Sequence, residues 1–297
     1  GHMNKARNEI KEIMPQMDVV IEVIDARIPH SSENPMVAAL RGEKPVIKIL
    51  NKADLADPDL TQAWMDHLEQ QNGVKAIACD TDKANDVKRI IAICKQLVPN
   101  KVGTGRQIKA MIMGIPNVGK STLINTLAGR AVAKTGDEPA VTKSQQLIKL
   151  DDDIMLYDTP GMLWPKVENE NSGYRLAATG GIRDTAFDFA DVASYTAEYL
   201  MQAYPELLKT RYKIDELPKT DWEFFEVAGR NRGCVRAGNQ VDTYRMSEIL
   251  INELRSAKIG RITLETPAMI EAEEIVVAEQ RLAAEERKKA REEEKRL

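Results

Sequence analysis

The chain has 297 residues, with 42 Lys+Arg against 46 Asp+Glu and a formal net charge of −4. Its composition, with 43% hydrophobic, 5% aromatic and 30% charged residues, excludes collagen-like, disulfide-scaffold and wholly disordered chains. The slight acidity argues against a protein that simply coats nucleic acid, although local basic patches remain compatible with it. Since domains typically hold about 100–200 residues, the length suggests one large domain and one smaller one.

Cysteine usage and hydropathy point to the cytoplasm. Cys79, Cys94 and Cys234 are few, odd in number and far apart, which predicts reduced thiols and no disulfide or zinc framework. No apolar run approaches the roughly 20 residues that span a bilayer, and no signal-peptide pattern is present. We therefore expect a cytoplasmic protein without a membrane segment.

The first half of the chain alternates between helical and strand patterns. In chain order the patterns predict a helix over 5–17, strands over 18–27 and 45–54, a helix over 58–72, a strand over 75–80, a helix over 84–98, a strand over 108–115, a helix over 119–129, and strands over 145–150 and 153–158. The strands are nearly continuously apolar, which is typical of a parallel sheet covered on both faces. The fold class predicted is therefore α/β, with a doubly wound, mostly parallel six-stranded sheet over residues 1–165.

The pattern changes after Pro165. Residues 175–267 are mostly helical and predict a smaller, all-helical second domain. Residues 268–297 are dominated by Glu, Arg, Lys and Ala, and predict a charged tail that is helical or disordered. Ile270, Val277 and Leu282 are expected to form an apolar face on its first half.

A phosphate-binding loop follows the strand predicted at 108–115. The segment Gly114–Ser121 (GIPNVGKS) fits GxxxxGK[ST] and opens a helix, which is the context that this motif requires. Backbone N–H groups of the loop and the helix N-terminus would face the phosphates. Lys120 is expected to neutralise the β- and γ-phosphates, and Ser121 to hold Mg²⁺. The residues predicted to contact nucleotide here are Asn117, Val118, Gly119, Lys120, Ser121 and Thr122.

A second phosphate-side motif, DTPG at 158–161, ends the last predicted strand about forty residues later. Asp158 at a strand end is placed to reach Mg²⁺, directly or through water. The Gly161 N–H is expected to meet the γ-phosphate. Thr142, in the loop between the two motifs, is predicted to complete the Mg²⁺ shell when GTP is bound.

The segment Asn51-Lys52-Ala53-Asp54 ends the strand predicted at 45–54 and carries base specificity. The Asp54 carboxylate can accept from both N1–H and the exocyclic amine of guanine, a donor pair that adenine lacks. Asn51 is expected to bond another edge of the base, and the stem of Lys52 to pack over its face. Asp80 and Thr81 end the next strand, where a backbone N–H could meet the guanine O6.

The order of the motifs is unusual, because NKAD precedes the phosphate loop. Strand ends converge on one ligand whatever the order of connection, so a circularly permuted chain can build the same site. Permutation also places DTPG at the end of the nucleotide-binding domain, directly before the helical domain.

These residues resemble one family throughout. The segments VIDARIP (23–29), SSENPM (31–36), LNKAD (50–54), GIPNVGKSTLIN (114–125), KTGDEPAVTKSQQ (134–146), DTPGMLWP (158–165), LAATGGIRD (176–184) and GRITLETP (260–267) are similar, in this order, to the circularly permuted GTPases of the ribosome biogenesis GTPase A (YlqF) family. The resemblance implies a GTP-hydrolysing assembly factor of the large ribosomal subunit that contacts rRNA and ribosomal proteins. It implies binding to the particle in the GTP state and departure after hydrolysis. We expect a monomer when the protein is free.

The resemblance also implies roles for single residues. Met162 replaces the water-orienting glutamine of many GTPases, so intrinsic hydrolysis is expected to be slow. Asn117 matches the asparagine of potassium-stimulated GTPases and would hold K⁺ beside the phosphates; the alternative is a plain turn asparagine. Gly1-His2-Met3 matches part of an N-terminal family motif whose histidine serves hydrolysis, but it also resembles the scar of a cleaved tag. The predicted catalytic residues are thus Lys120, Thr142, Gly161 and His2.

Alternatives remain at the level of function. Arg230, Arg232 and Arg236 could contact RNA phosphates or simply lie in a solvated loop. His30 and His67 carry no motif and are expected at the surface. A small-molecule P-loop kinase would share the phosphate loop but would not need NKAD. A signalling or trafficking GTPase would share all three motifs, although no lipidation motif supports it.

Overall fold

A mixed six-stranded sheet forms the centre of the computed structural model, which describes residues 2–80, 83–132, 146–159, 169–183 and 187–297, with side chains from residue 5 onward. The strands are β1 (Val19–Asp25), β2 (Val46–Asn51), β3 (Val74–Ala78), β4 (Ile108–Gly114), β5 (Gln146–Lys149) and β6 (Ile154–Asp158). Their order is β3-β2-β1-β4-β6-β5, and only the edge pairing of β5 with β6 is antiparallel. The predicted doubly wound, mostly parallel sheet is confirmed.

Helices cover both faces of this sheet. They are α1 (His2–Ile13), α2 (Pro35–Leu40), α3 (Pro58–Glu69), α4 (Ala84–Leu97) and α5 (Lys120–Ala128). In the central strand β1, Val20 and Ile24 pack with apolar residues of the α1 and α3 side, whereas Ile21 and Val23 pack with those of α4 and α5. Because both faces are covered, every residue of β1 is buried, which explains why its sequence is mostly apolar, with Glu22 and Asp25 as the exceptions.

The first helix is shorter than its sequence pattern predicts. It ends at Ile13 and is followed by a 3₁₀ turn over Met14–Gln16. Pro15 lies in this turn, and its ring and missing N–H disfavour continuation of an α-helix. Met17 is nevertheless buried together with Ile10 in the core between α1 and the sheet.

Helices also dominate the second half of the chain. They are α6 (Glu170–Thr179), α7 (Phe189–Ala203), α8 (Pro205–Tyr212), α9 (Asp221–Asn231), α10 (Thr243–Arg255) and α11 (Pro267–Arg296), and a short hairpin pairs β7 (Val235–Arg236) with β8 (Gln240–Val241). Leu176 of α6 belongs to the same buried cluster as Ile112 of β4 and Leu250 of α10. Helices α6 to α10 therefore share a continuous core with the sheet.

The charged tail is a 30-residue helix. Ile270 and Val277 of α11 are buried, and Ile270 joins the cluster that contains Trp64 of α3. Leu282, expected on the same apolar face, is 60% exposed, because α11 has left the body of the protein by that point. Among the described residues, no helix combines the length and apolarity needed to cross a bilayer. The three cysteines are free and buried.

Candidate functional site: a phosphate loop and a base pocket at one sheet edge

The phosphate loop depends on two glycines for its shape. Gly119 has φ +97°, and a Cβ there would collide with Nδ2 of Asn51. A Cβ on Gly114 would lie 2.9 Å from Cγ1 of Val118 and 3.2 Å from the Val23 carbonyl oxygen. Both positions thus require glycine, one for its left-handed backbone and both for close approach. The loop joins β4 to α5, so its N–H groups lie at a helix N-terminus.

Lys120 and Asp158 meet at the carboxyl edge of the sheet. Ile112 of β4 and Asp158 of β6 are register partners, and α5 starts beside them. The Lys120 Nζ donates to Asp158 Oδ1 at 2.7 Å and also to the carbonyl oxygen of Thr159. Both Lys120 and Asp158 are buried. The strand order therefore brings together the cation and the carboxylate that the two phosphate-side motifs supply.

The NKAD motif and the three residues after it (51–57, called the NKAD turn) are hydrogen-bonded to the phosphate loop. Asn51, at the end of β2, donates from Nδ2 to the Val118 carbonyl at 2.8 Å. Lys52 has φ +59° and donates from Nζ to the Asn117 carbonyl at 2.8 Å. The Oδ1 atom of Asn51 is buried and has no hydrogen-bond partner within the described part of the chain. A buried acceptor without a partner is costly, so it suits a donor from a bound ligand.

A cavity of about 260 Å³ opens next to the NKAD turn. It is lined by Arg27, Lys52, Asp54, Leu55, Asp80, Thr179 and Arg255. Asp54 is exposed, which leaves its carboxylate accessible to a ligand. The Asp80 N–H, one of two expected donors to guanine O6, donates instead to Asp86 Oδ2 at 3.2 Å. The contact of a backbone N–H of Asp80 or Thr81 with guanine O6 stays a prediction.

Several predicted site residues fall outside these contacts. Thr81, Thr142 and Gly161, together with Met162, lie outside the described residues, as does the side chain of His2. Ser121, in the first turn of α5, is half-buried, and Thr122 is exposed. The side chain of Asn117 is exposed and donates to the Gly180 carbonyl at 3.3 Å. The structure thus brings Asn117, Lys120 and Asp158 to one edge of the sheet and leaves the other roles as predictions.

Beside this pocket, Arg27 and Asp25 form an ion pair to which the sequence patterns assigned no role. Arg27, directly after β1, contacts Asp25 through Nη2–Oδ2 at 2.8 Å and Nε–Oδ1 at 3.0 Å. Burial alone would raise the pKa of Asp25, but the charge and hydrogen bonds of Arg27 outweigh it and hold that pKa below its ordinary value. The sequence signal was available, because opposite charges at the carboxyl end of a buried strand lie at the ligand-binding edge of a parallel sheet.

A second polar network joins segments that are far apart in the chain. Glu265 is fully buried and accepts from the Ser31 hydroxyl at 2.5 Å and from Nη1 of Arg175 at 3.3 Å. Arg175 also forms a bidentate pair with Glu273 of α11. Burial raises the pKa of Glu265 despite its contacts with Arg175 and Ser31. The network ties the segment after β1, helix α6 and helix α11 to one another.

Known proteins are similar to this chain over most of its length. Residues 109–216 match the family described as 50S ribosome-binding GTPase. The chain is 46% identical to Ribosome biogenesis GTPase A of Priestia megaterium, over 92% of this chain and 97% of that protein. The chain belongs to the ribosome biogenesis GTPase A (YlqF) family.

Solved structures support the family assignment. A GDP-bound structure of TM YlqF is 25% identical with a TM-score of 0.62, covering 88% of this chain and 99% of that one. GNP-bound YlqF from T. maritima is 26% identical with a TM-score of 0.61, covering 89% and 98%. As a YlqF-family protein the chain is a circularly permuted GTPase that binds guanine nucleotide and hydrolyses GTP. This assignment favours a GTPase over the small-molecule kinase alternative.

Proposed function

We propose that this GTPase is a cytoplasmic assembly factor of the large ribosomal subunit. It binds the immature particle, through rRNA and ribosomal proteins, in the GTP state and leaves after hydrolysis. Relatives that match over most of the chain are named ribosome biogenesis GTPases, which supports the class of partner. In this proposal residues 1–165 form the switch, residues 175–267 the docking domain and residues 268–297 an additional arm, and the free protein is a monomer.

One observation carries the proposal: the C-terminal end of α6 contacts the nucleotide site and α10 at once. Asn117 of the phosphate loop donates to the Gly180 carbonyl, and Nη2 of Arg27 donates to the Thr179 carbonyl at 3.2 Å. Arg255 of α10 donates to the carbonyls of Ala177 and Ala178 at 2.8 and 3.1 Å. A change in the phosphates bound at this site would therefore occur next to α6, which also contacts α10 of the helical region. A docking surface that responds to the bound nucleotide requires such a connection.

The metal ions of the reaction fit the residues present. Asp158, Ser121 and Thr142 offer the oxygen ligands that Mg²⁺ prefers, and Asp158 is buried beside Lys120 where the phosphates are expected. Mg²⁺ supplies charge neutralisation at the β- and γ-oxygens when bound. Asn117, in a left-handed conformation with φ +63°, is the proposed K⁺ ligand. Lys120 holds the transferred phosphoryl group, and Gly161 and His2 complete the proposed catalytic set.

The arginine cluster contributes less free charge than its sequence suggests. Arg232 pairs with Glu253 at 2.9 Å, and Arg236 pairs with Asp242 at 3.2 Å. Arg230 donates to the side-chain and backbone oxygens of Asn239, both at 3.4 Å. An RNA phosphate that binds Arg232 or Arg236 would have to compete with the carboxylates of Glu253 and Asp242. We therefore expect these arginines to contribute less to rRNA affinity than arginines without acidic partners would.

Sedimentation with purified large ribosomal subunits tests the proposed switch. The protein should pellet with subunits in a non-hydrolysable GTP analogue and stay in the supernatant with GDP. The same measurement with small subunits is the control, and retention there should be low with either nucleotide. Equal pelleting in both nucleotides, or a preference for small subunits, would contradict the proposal.

The potassium role is tested by phosphate release. Free protein should turn over slowly, near the scale of about 10⁻⁴–10⁻³ s⁻¹ of an unassisted GTPase. Large subunits should accelerate release more in K⁺ than in Na⁺, and Asn117→Ala should remove this difference. Equal rates of the unaltered protein in the two salts would rule out a K⁺ ligand at this position.

A further inference from the structure

A segment near the end of the chain is bonded to the NKAD turn. Arg261 donates from Nε to the Ala56 carbonyl at 2.8 Å and from Nη2 to the Ala53 carbonyl at 2.7 Å. These two carbonyls flank Asp54, so one guanidinium spans the turn that carries the base-selecting carboxylate. A fork of donors is suited to two acceptors at fixed spacing, which a lysine cannot reproduce.

Three further hydrogen bonds extend this attachment along the chain. The N–H of Ile262 donates to the Leu55 carbonyl at 3.2 Å, and the N–H of Asp57 donates to Oγ1 of Thr263 at 3.1 Å. The N–H of Leu264 donates to the Arg27 carbonyl at 2.8 Å. Ile262 and Leu264 are buried, which fixes residues 261–264 against the nucleotide-binding part of the protein.

The NKAD turn needs such support because its backbone is strained. Lys52 has φ +59°, a conformation that side-chain-bearing residues persist in only when their surroundings determine it. Asp54 is exposed, so the position of its carboxylate follows the backbone of the turn. Fixing that backbone before the ligand arrives lowers the ordering cost of binding.

We infer that Arg261 is a positioning residue for guanine recognition, acting through the NKAD turn from the far end of the chain. The inference rests on the proposed role of Asp54 as the acceptor for guanine. It makes the 261–264 segment part of the determinants of nucleotide affinity, although this segment is bonded to the base side of the site and not to the phosphate loop.

The test compares Arg261→Ala with Lys258→Ala, which removes the same charge from an exposed position three residues earlier. Binding of GDP and of inosine diphosphate, which lacks the exocyclic amine, is measured together with GTP turnover. Arg261→Ala should raise the Kd for GDP about tenfold and that for inosine diphosphate less, because only guanine offers Asp54 two donors to misalign. The kcat at saturating GTP should stay within about twofold of the unaltered protein, since Lys120 and Asp158 are untouched.

Two further variants separate a wrong inference from a wrong site. Arg261→Lys should give an intermediate Kd, since one ammonium cannot span both carbonyls. If Arg261→Ala lowers GDP and inosine diphosphate affinity equally, or matches Lys258→Ala, the positioning role is wrong. Asp54→Asn tests the underlying assignment: it should weaken GDP binding and favour xanthosine diphosphate. If Asp54→Asn leaves guanine preference unchanged, the proposed site itself fails.

Discussion

At the scale of single residues, Lys120 and Asp158 form a buried ion pair next to the phosphate loop. The ammonium of Lys120 lies between a carboxylate and a backbone carbonyl, in a buried position where unpaired charge is costly. A triphosphate offers this ammonium a denser negative charge, and the exchange would leave the Asp158 carboxylate available for Mg²⁺. One side chain thus connects the phosphate loop with DTPG.

Removal of this ammonium should abolish turnover. Lys120→Ala deletes the charge proposed to stabilise the transferred phosphoryl group and leaves Asp158 buried without the Lys120 ammonium, so we expect phosphate release to fall at least about 100-fold. Lys149→Ala, which removes an exposed lysine on β5, is the matched control and should keep full activity. Single-turnover phosphate release measures both, and an active Lys120→Ala would show that this loop does not carry the reaction.

At the scale of elements, the phosphate loop and the NKAD turn form one unit, although Asn51 and Val118 are 67 positions apart in the chain. Asn51 and Lys52 each donate to a carbonyl of the loop, and Gly119 leaves the space that Asn51 occupies. The shape of the loop is therefore maintained from the base side as well as by its own strand and helix.

Gly119→Ala tests this unit. The added Cβ would meet Asn51 and would also hold a φ of +97° that alanine disfavours, so the loop must move. We expect the affinity for GDP to fall by more than about tenfold, equivalent to roughly 1.4 kcal/mol. Gly129→Ala, at the end of α5 with φ +68° and open space around it, is the control for backbone strain alone. Similar losses in both variants would mean that the collision with Asn51 does not matter.

The elements that sequence predicted well are those with local signatures. The strands in chain order, the phosphate loop and NKAD follow from residues that are neighbours in sequence, and permutation did not hide them because strand ends converge on one edge. The network of Arg175 and Glu265 was not predictable in this way, because it joins residues 90 positions apart. Asp25 with Arg27 had a local signature, two opposite charges at the end of a buried strand, but no role was assigned to it. A single sequence does not show which charged residues, far apart in the chain, will form ion pairs in the fold.

Charge and burial at surfaces were also poorly predicted. Leu282 has the spacing of an apolar face, but it lies beyond the part of α11 that packs on the body. Arg232 and Arg236 form a basic cluster in sequence, yet each meets a carboxylate. His30, expected at the surface, is mostly covered and lies 3.2 Å from Glu274 of α11. In each case the partner element, and not the local pattern, decides the outcome.

At the scale of the whole molecule, Glu253 joins three helical elements. Its carboxylate pairs with Arg211 of α8 at 2.5 Å and with Arg232, just after α9, at 2.9 Å. Burial opposes ionisation of Glu253, but the hydrogen bonds from Arg211 and Arg232 outweigh it and lower its pKa to about 2. The ionised form therefore stabilises the packing of α8, α9 and α10.

The sign of the pH dependence follows from this shift. Because the pKa of Glu253 is lower in the folded chain, its contribution is complete above its ordinary value of 4.5 and is lost as the pH falls toward 2. Glu253→Gln should lower the free energy of unfolding by about 2 kcal/mol at pH 7 and by much less near pH 2.5. Glu248→Gln, an exposed neighbour on α10, is the control. Urea unfolding at both pH values measures the difference, and a pH-independent loss would contradict the ion-pair account.

The hydrogen bonds between residues 261–264 and the NKAD turn also imply a sequence of folding steps during translation. The turn is made early and its supporting segment about 200 residues later, which at about 5–20 residues per second is a delay of roughly 10–40 s. The parallel sheet can assemble in this interval, because the six strands described for it all precede residue 159. A nascent chain of that length would already possess the phosphate loop, but not the bonds to Ala53 and Ala56. Tight retention of guanine nucleotide would then be a property acquired only after residues 261–264 have been synthesised and have bonded to the turn.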